Sequence, residues 1–448
     1  MIVVTSLVNP FLGASINIAL PSIGSEFSMN AVSLSWVSMA FLLTSAVFLV
    51  PLGKLADIRG RKSVFIWGNL LIAATSLAAP FSLSGDMLII VRAIQGIGSA
   101  MVFGTGMAII TSVYPPGERG KAIGLSVTAV YVGLSLAPFL GGILTEYLGW
   151  RSIFYLVIPF ELGIAVSTWL LIRGEWADAA GERLDLTGSL LYVISMSALM
   201  YGLSRIPELF AVLMVTAGGL GLVMFGLWEL RVTFPVFQLS LFTGNRLFAF
   251  SNLAALINYA TTFAITFLLS LFLQVVMGLS PRDAGIILVT QPVVMALVAS
   301  VSGRLSDRVD PQILASAGMA VIVGGLVMLT FLDSGTRTGF LLVSLVVVGL
   351  GFGLFSSPNT NAIMSSVERT RLGIASAMVG TMRLTGQMIS MGIATLILQL
   401  NLGERELIPE VAPQFLTAMR TTFLIFAVLC FLGVFASLAR GGKKQGDG

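Results

Sequence analysis

The chain has 448 residues, of which 56% are hydrophobic and only 10% charged. A soluble fold of that composition would need an implausibly large dry interior, whereas a bilayer supplies an apolar surrounding. A single cysteine, Cys430, and the absence of histidine leave no internal disulfide and almost no His/Cys metal chemistry, and the formal charge of +4 is spread over short loops rather than gathered in a nucleic-acid-binding patch.

Apolar stretches of about 20 residues recur at 2–22, 34–54, 64–82, 87–112, 121–145, 152–172, 187–204, 209–230, 247–276, 284–303, 312–332, 338–360, 372–400 and 419–439. They predict an all-α integral membrane protein of fourteen spanning helices. Met1 leads straight into the first stretch without a basic segment or a small-residue cleavage site, so that stretch is expected to remain as a helix. Glycine, 48 of 448 residues, is over-used, as expected where helices pack backbone to backbone in lipid.

The connections between these stretches carry unequal charge. One alternate set holds Lys54, Arg59, Arg61, Lys62, Arg119, Lys121, Arg173, Arg183, Arg231, Arg246, Arg304, Arg308, Arg369, Arg371, Arg440, Lys443 and Lys444; the other holds only Arg151, Arg205, Arg282, Arg337, Arg405 and Arg420. Cytoplasmic loops are the ones enriched in Lys and Arg. Both termini are therefore expected in the cytoplasm of a plasma-membrane protein, which in turn requires an even number of spans.

Two basic segments match in register: Gly53-Lys54-Leu55-Ala56-Asp57-Ile58-Arg59 and Gly303-Arg304-Leu305-Ser306-Asp307-Arg308-Val309. Each follows the second span of a six-span group once spans seven and eight are set aside. The expected plan is a six-helix bundle over 1–172, an inserted helix pair with its loops over 173–246, and a second six-helix bundle with a tail over 247–448. Parallel repeats of this kind are one plan of secondary transporters, with the substrate near the bilayer midplane between the halves.

Several motifs are more specific. The segment Gly53-Lys54-Leu55-Ala56-Asp57-Ile58-Arg59-Gly60-Arg61-Lys62 follows span two, Arg92-Ala93-Ile94-Gln95-Gly96-Ile97-Gly98 lies in span four, and Gly124, Gly133, Ala137-Pro138 and Gly141-Gly142 punctuate span five. Trp150-Arg151 with Phe154, and Ser280-Pro281 with Ala284-Gly285, add to the pattern. Over essentially the whole chain these residues resemble the Major Facilitator Superfamily, and within it the fourteen-span drug:proton antiporters. The resemblance implies two six-helix bundles plus two inserted helices, and multidrug efflux of small amphipathic molecules by proton antiport and alternating access. A dedicated metabolite exporter or an uncoupled facilitator of the same fold is the alternative. One departure bears on the coupling: the family commonly carries an acid in span one shortly before Asn-Val-Ala-Leu-Pro, and this chain reads Phe11-Leu12-Gly13-Ala14-Ser15-Ile16 before Asn17-Ile18-Ala19-Leu20-Pro21.

Roles for individual residues follow from the resemblance and from physical chemistry together. By charge alone Gly53, Asp57, Arg59, Gly60, Arg61 and Lys62 read as a solvated basic loop; the resemblance implies that they form a conformational latch, in which Asp57 can pair with Arg59 or Arg61. Arg92 and Gln95 present a polar face inside span four, where a charge costs about 2.5–3.5 kcal/mol and usually faces a cavity or partner; they are expected to take part in proton coupling, Arg92 as a cation that responds to a nearby proton carrier. Glu161, beside Pro159 in span six, is the main proton-carrier candidate, because removal from water favours the protonated acid. Gly124, Gly133, Gly141 and Gly142, with Pro138, leave a groove along span five for close packing against a helix of the other half. By the resemblance, spans one, four, nine and twelve line the substrate cavity, offering Asn17, Gln95, Asn252, Asn258, Phe263, Asn359 and Asn361; Arg383 and Gln387 form a comparable stripe in span thirteen. The expected partners are a small-molecule substrate, protons and the bilayer, for a monomer without nucleic acid, cofactor or metal. No phosphate-binding loop, clustered catalytic groups or repeated filter element points to a pump, an enzyme or a channel.

Overall fold

The computed structural model describes residues 1–115, 119–237, 242, 244–306, 308–368, 372–403 and 405–440. It is all helical: α1 (Ile2–Phe27), α2 (Ala31–Arg59), α3 (Arg61–Ala78), α4 (Gly85–Val113), α5 (Arg119–Leu148), α6 (Arg151–Leu171), α7 (Leu186–Leu203) and α8 (Leu209–Glu229) are followed by α9 (Arg246–Val276), α10 (Pro281–Leu305), α11 (Pro311–Leu329), α12 (Thr338–Ser365), α13 (Leu372–Leu402) and α14 (Ala412–Leu438). Among the described residues, thirteen of these are long and apolar enough to cross a membrane; the other, α13, is a continuous 31-residue helix packed among them. Helices satisfy their own backbone groups, so this architecture suits a medium that offers no hydrogen bonds.

One boundary differs instructively from the reading of the sequence. Residues Gly53 to Arg59 are not a loop but the last turns of α2. The break falls at Gly60, whose φ of +125° is open to glycine, and α3 starts at the next residue. Helix α9 is α-helical from Arg246 to Thr262 and from Ala264 to Leu271, and ends in a π-turn over Phe272–Val276.

The first six and the last six helices repeat each other's packing. Gly68 of α3 and Gly98 of α4 abut so closely that a Cβ on either would lie 2.9 Å from the other's carbonyl oxygen; Gly318 of α11 and Gly351 of α12 do the same at 2.6 Å. Gly133 of α5 lies against the Leu7 carbonyl of α1, as Gly386 of α13 lies against the Leu256 carbonyl of α9. Helices α7 and α8 pack on each other, and α7 touches α2 through Trp36 and Tyr201 and α13 through Met200 and Gly392. Much of α8 is exposed, with Leu209, Leu213, Leu220 and Val223 pointing away from the protein, as a lipid-facing helix would.

Candidate functional site

A cavity of about 720 Å³ lies between the two sets of six helices, within the roughly 300–1,000 Å³ typical of small-molecule sites. Its mouth is at the face carrying the basic turns, among Lys54, Asp57, Arg61, Trp176, Asp178 and Val236. Its inner end is lined by Phe103 of α4, Tyr131 of α5, Tyr259 of α9 and Arg383 of α13. Each lies roughly three helical turns inside its helix, near the middle of the bundle. A narrower extension of about 50 Å³ continues inward past Asn9, Gly13, Phe41, Phe263 and Gln387. The Arg383 guanidinium sits 5.4 Å above the Phe103 ring. Tyr259 stacks edge-on to Phe352 at 5.5 Å.

At the mouth the signature residues form an ion-pair network that holds one of the two pairings expected for Asp57. Asp57 pairs with Arg61 at 2.7 Å, and Arg61 also holds Asp178 at 2.7 Å and donates to the Ser112 hydroxyl at 2.9 Å. Arg59 enters none of the ion pairs among the described residues. Lys54 pairs with Glu182 at 2.5 Å. Glu175 accepts from the Lys62 and Ser63 backbone amides, at 2.7 and 3.1 Å, and from the Ser63 hydroxyl. It thereby caps the first turn of α3, whose own N-cap, Gly60, has no side chain to do so. Asp178, Glu182 and Glu175 all come from the α6–α7 connection, which straps the basic turn from below. Asp307, the counterpart of Asp57 in the second basic segment, lies outside the described residues.

The opposite face is closed by contacts between the halves. The Ser270 hydroxyl of α9 donates to the Asn17 carbonyl at 2.7 Å, and Gln274 donates to the Ile18 carbonyl at 3.0 Å. Thr395 of α13 meets the Ser35 hydroxyl of α2 at 2.8 Å. At the end of α5 the Glu146 carboxylate accepts from the Arg282 backbone amide at 3.0 Å. Between these points α5 and α10 touch backbone to backbone: a Cβ on Gly142 would lie 2.6 Å from the Pro281 carbonyl, and Gly285 presses on the Pro138 carbonyl. The glycine groove of span five is thus divided. Gly142 and Pro138 meet the other half, Gly133 and Gly141 meet α1 of their own half, and Gly124 faces open space, with no described atom within 4 Å of where a Cβ would stand.

Several cavity candidates lie elsewhere. Asn17 belongs to the closed face, its side chain accepting from the Ser38 hydroxyl at 2.7 Å. Asn252 donates to the Phe248 carbonyl one turn back, Asn359 to the Ser251 carbonyl, and Asn361 to the Ser306 hydroxyl. Asn258 is fully buried without a side-chain partner among the described residues. The physical reason is common to the four that have partners: a buried amide in an apolar helix finds a neighbouring helix or its own backbone as readily as a cavity. Phe263, Arg383 and Gln387 do line the cavity. Gln95 does not; it bridges the fully buried Arg92, at 2.5 Å, and the Ser76 hydroxyl, at 2.8 Å. Arg92 also donates to the Val37 carbonyl and lies 4.4 Å over the Phe41 ring, so it ties α2, α3 and α4 together. Glu161 is wholly buried and, among the described residues, neither of its oxygens has a hydrogen-bond partner and no ion pair joins it to Arg92. Sequence reasoning missed Asn9, Phe103, Tyr131 and Tyr259. Asn9, also buried without a side-chain partner among the described residues, sits in the same helix as Asn17 and was the one signal available.

Comparison with known proteins agrees with this architecture. Residues 2–251 and 251–446 each match the model of the Major Facilitator Superfamily. The riboflavin transporter RibZ of Clostridioides difficile is 28% identical over 94% of this chain and 92% of its own. The multidrug resistance protein Stp of Mycobacterium tuberculosis is 29% identical over 86% of this chain and 72% of its own. The nucleoside transporter NupG has the same fold, with a TM-score of 0.64 over 98% of both chains at 14% identity. With matches that run from the first helix to the last, a cavity between two sets of six helices and the basic signature at the end of α2, this chain belongs to the Major Facilitator Superfamily of membrane transporters.

Proposed function

We propose that this protein exports small amphipathic molecules by alternating access, driven by proton antiport. The observation that carries the reading is the asymmetry of the gap between the halves: a midplane cavity reaches the basic-turn face, while three separate seams close the other. A carrier at rest in one of its two states has that form. The bundles 1–172 and 247–448 then rock about the cavity, with the pair 173–246 riding outside, and the likeness to a multidrug resistance protein supports outward transport. Glu161 is the proton carrier in this scheme, since an unpaired acid buried in a spanning helix can exist there as a neutral group and must find water or a partner to ionise.

The test is reconstitution in liposomes with an imposed pH gradient, following amphipathic fluorophores of either charge beside an internal pH dye. Gradient-driven movement with matching proton flux, lost in Glu161→Gln, is the expected result. Fluorophore movement without proton flux would leave a facilitator. A second reading, a dedicated metabolite exporter, is favoured by the riboflavin transporter as a relative over nearly the full length of both chains and by the absent acid in span one.

A further inference from the structure

We infer that the substrate of this cavity is an aromatic or amphipathic organic anion, held by Arg383 over a floor of aromatic rings. The inference rests on the reading of the cavity as the substrate site. Five charged side chains line it, and four are at the mouth: Lys54, Asp57, Arg61 and Asp178. Lys54 is neutralised by Glu182, and Arg61 by Asp57 and Asp178. Arg383 is different. It stands at the inner end, half-buried, with no hydrogen bond or ion pair among the described residues. Its guanidinium lies over the face of Phe103, and Tyr131 and Tyr259 line the same cavity.

A guanidinium withdrawn from water costs free energy until an anion joins it. Arginine recognises carboxylate, sulfonate or phosphate through paired N–H donors. Phe103, Tyr131 and Tyr259 supply flat apolar surface and two phenolic hydroxyls, which suit a ring system bearing that anion. An organic cation would meet an unanswered positive charge, because among the described residues no carboxylate faces the inner end of the cavity: Asp57 and Asp178 are engaged at the mouth, and Glu161 does not line it.

Binding, separate from transport, tests this. The purified protein in phosphatidylcholine nanodiscs is titrated with carboxyfluorescein and with ethidium, aromatic probes of opposite charge, read by fluorescence polarisation. The expected result is saturable carboxyfluorescein binding, weakened about tenfold or more in Arg383→Gln, largely kept in Arg383→Lys, with ethidium weak in the native protein and improved in Arg383→Glu. Equal or tighter ethidium binding by the native protein, no saturable carboxyfluorescein binding, or indifference to Arg383→Gln would overturn the assignment. Displacement of carboxyfluorescein by added phosphatidylglycerol would also overturn it, giving Arg383 to a lipid headgroup. Gly380 lines the cavity with nothing within 4 Å of a Cβ position, so Gly380→Trp fills the space without a backbone clash. If Gly380→Trp abolishes binding while Arg383→Gln does not, the anion class fails and the cavity stands; if binding survives Gly380→Trp, the cavity reading fails as well.

Discussion

Arg92, Gln95 and Ser76 form a polar chain where every alternative partner is hydrocarbon. Replacing Arg92 by Met removes the bonds to Val37 and Gln95 and the contact with Phe41, and leaves Gln95 half-partnered. Interhelical hydrogen bonds in membranes contribute about 0.6 kcal/mol on average and up to about 1.7. Arg92→Met should therefore lower the melting temperature in detergent, with Gln95→Leu lowering it less, and the double variant should fall short of the sum because both act on one chain; additive shifts would mean that the two are independent. Glu161 predicts the opposite pattern. With no bond to lose, Glu161→Gln should fold as well as the native protein, judged by monodisperse yield and melting temperature, while losing gradient-driven transport and keeping substrate counterflow. These residues were visible in the sequence as polar groups in apolar helices, but their surroundings were not. Asn9 and Asn17 are identical side chains on one helix, and only the packing of α9 and α13 makes one line a cavity and the other sit in a seam. Asn258 and Tyr259 are adjacent in α9, whose first stretch does not segregate its polar and apolar residues to opposite sides, so the sequence carries no sign of which faces the cavity.

At the scale of elements, the α2–α3 turn illustrates what periodicity conveys and what it omits. The span ends, the basic turn and the break at Gly60 are readable from hydropathy and glycine, but the acids that satisfy the turn come from the α6–α7 connection, more than a hundred residues on. Nothing local announces a partner that distant. Glu175 replaces the missing cap of α3, a role worth about 1 kcal/mol. Glu175→Ala should raise amide hydrogen exchange at Lys62 and Ser63 selectively, leaving the exchange of α4 unchanged; uniform loss of protection would mark general destabilisation instead. The α5–α10 seam makes a second prediction. Its contact needs the absence of a side chain at both Gly142 and Gly285, so Gly142→Leu should push the closed face apart. Maleimide labelling of Ser270→Cys, buried in that face next to Asn17, should then rise several-fold, since native Cys430 is itself buried and contributes little background.

The molecule as a whole is legible in the sequence as a count of helices, an internal repeat and a charge bias, because each depends on composition and order. Its conformation is not, because under the proposed alternating access both states are built from one sequence and differ only in which face the halves bring together. The closed face found here therefore allows a direct intervention. The Ser35 and Thr395 hydroxyls meet at 2.8 Å across the two halves, close enough that cysteines at both positions are within reach of a disulfide once the backbone adjusts slightly. Oxidised Ser35→Cys/Thr395→Cys protein should be held with its cavity facing the basic turns. Cysteines placed at the cavity mouth should stay reactive, carboxyfluorescein should still bind, and transport should stop until the disulfide is reduced. Such a lock need only exceed the free-energy difference between the two states, a few kcal/mol, which a single covalent bond does easily. If transport continued at its native rate in fully oxidised protein, the seam between α2 and α13 would be permanent, and the halves would have to exchange access without parting there.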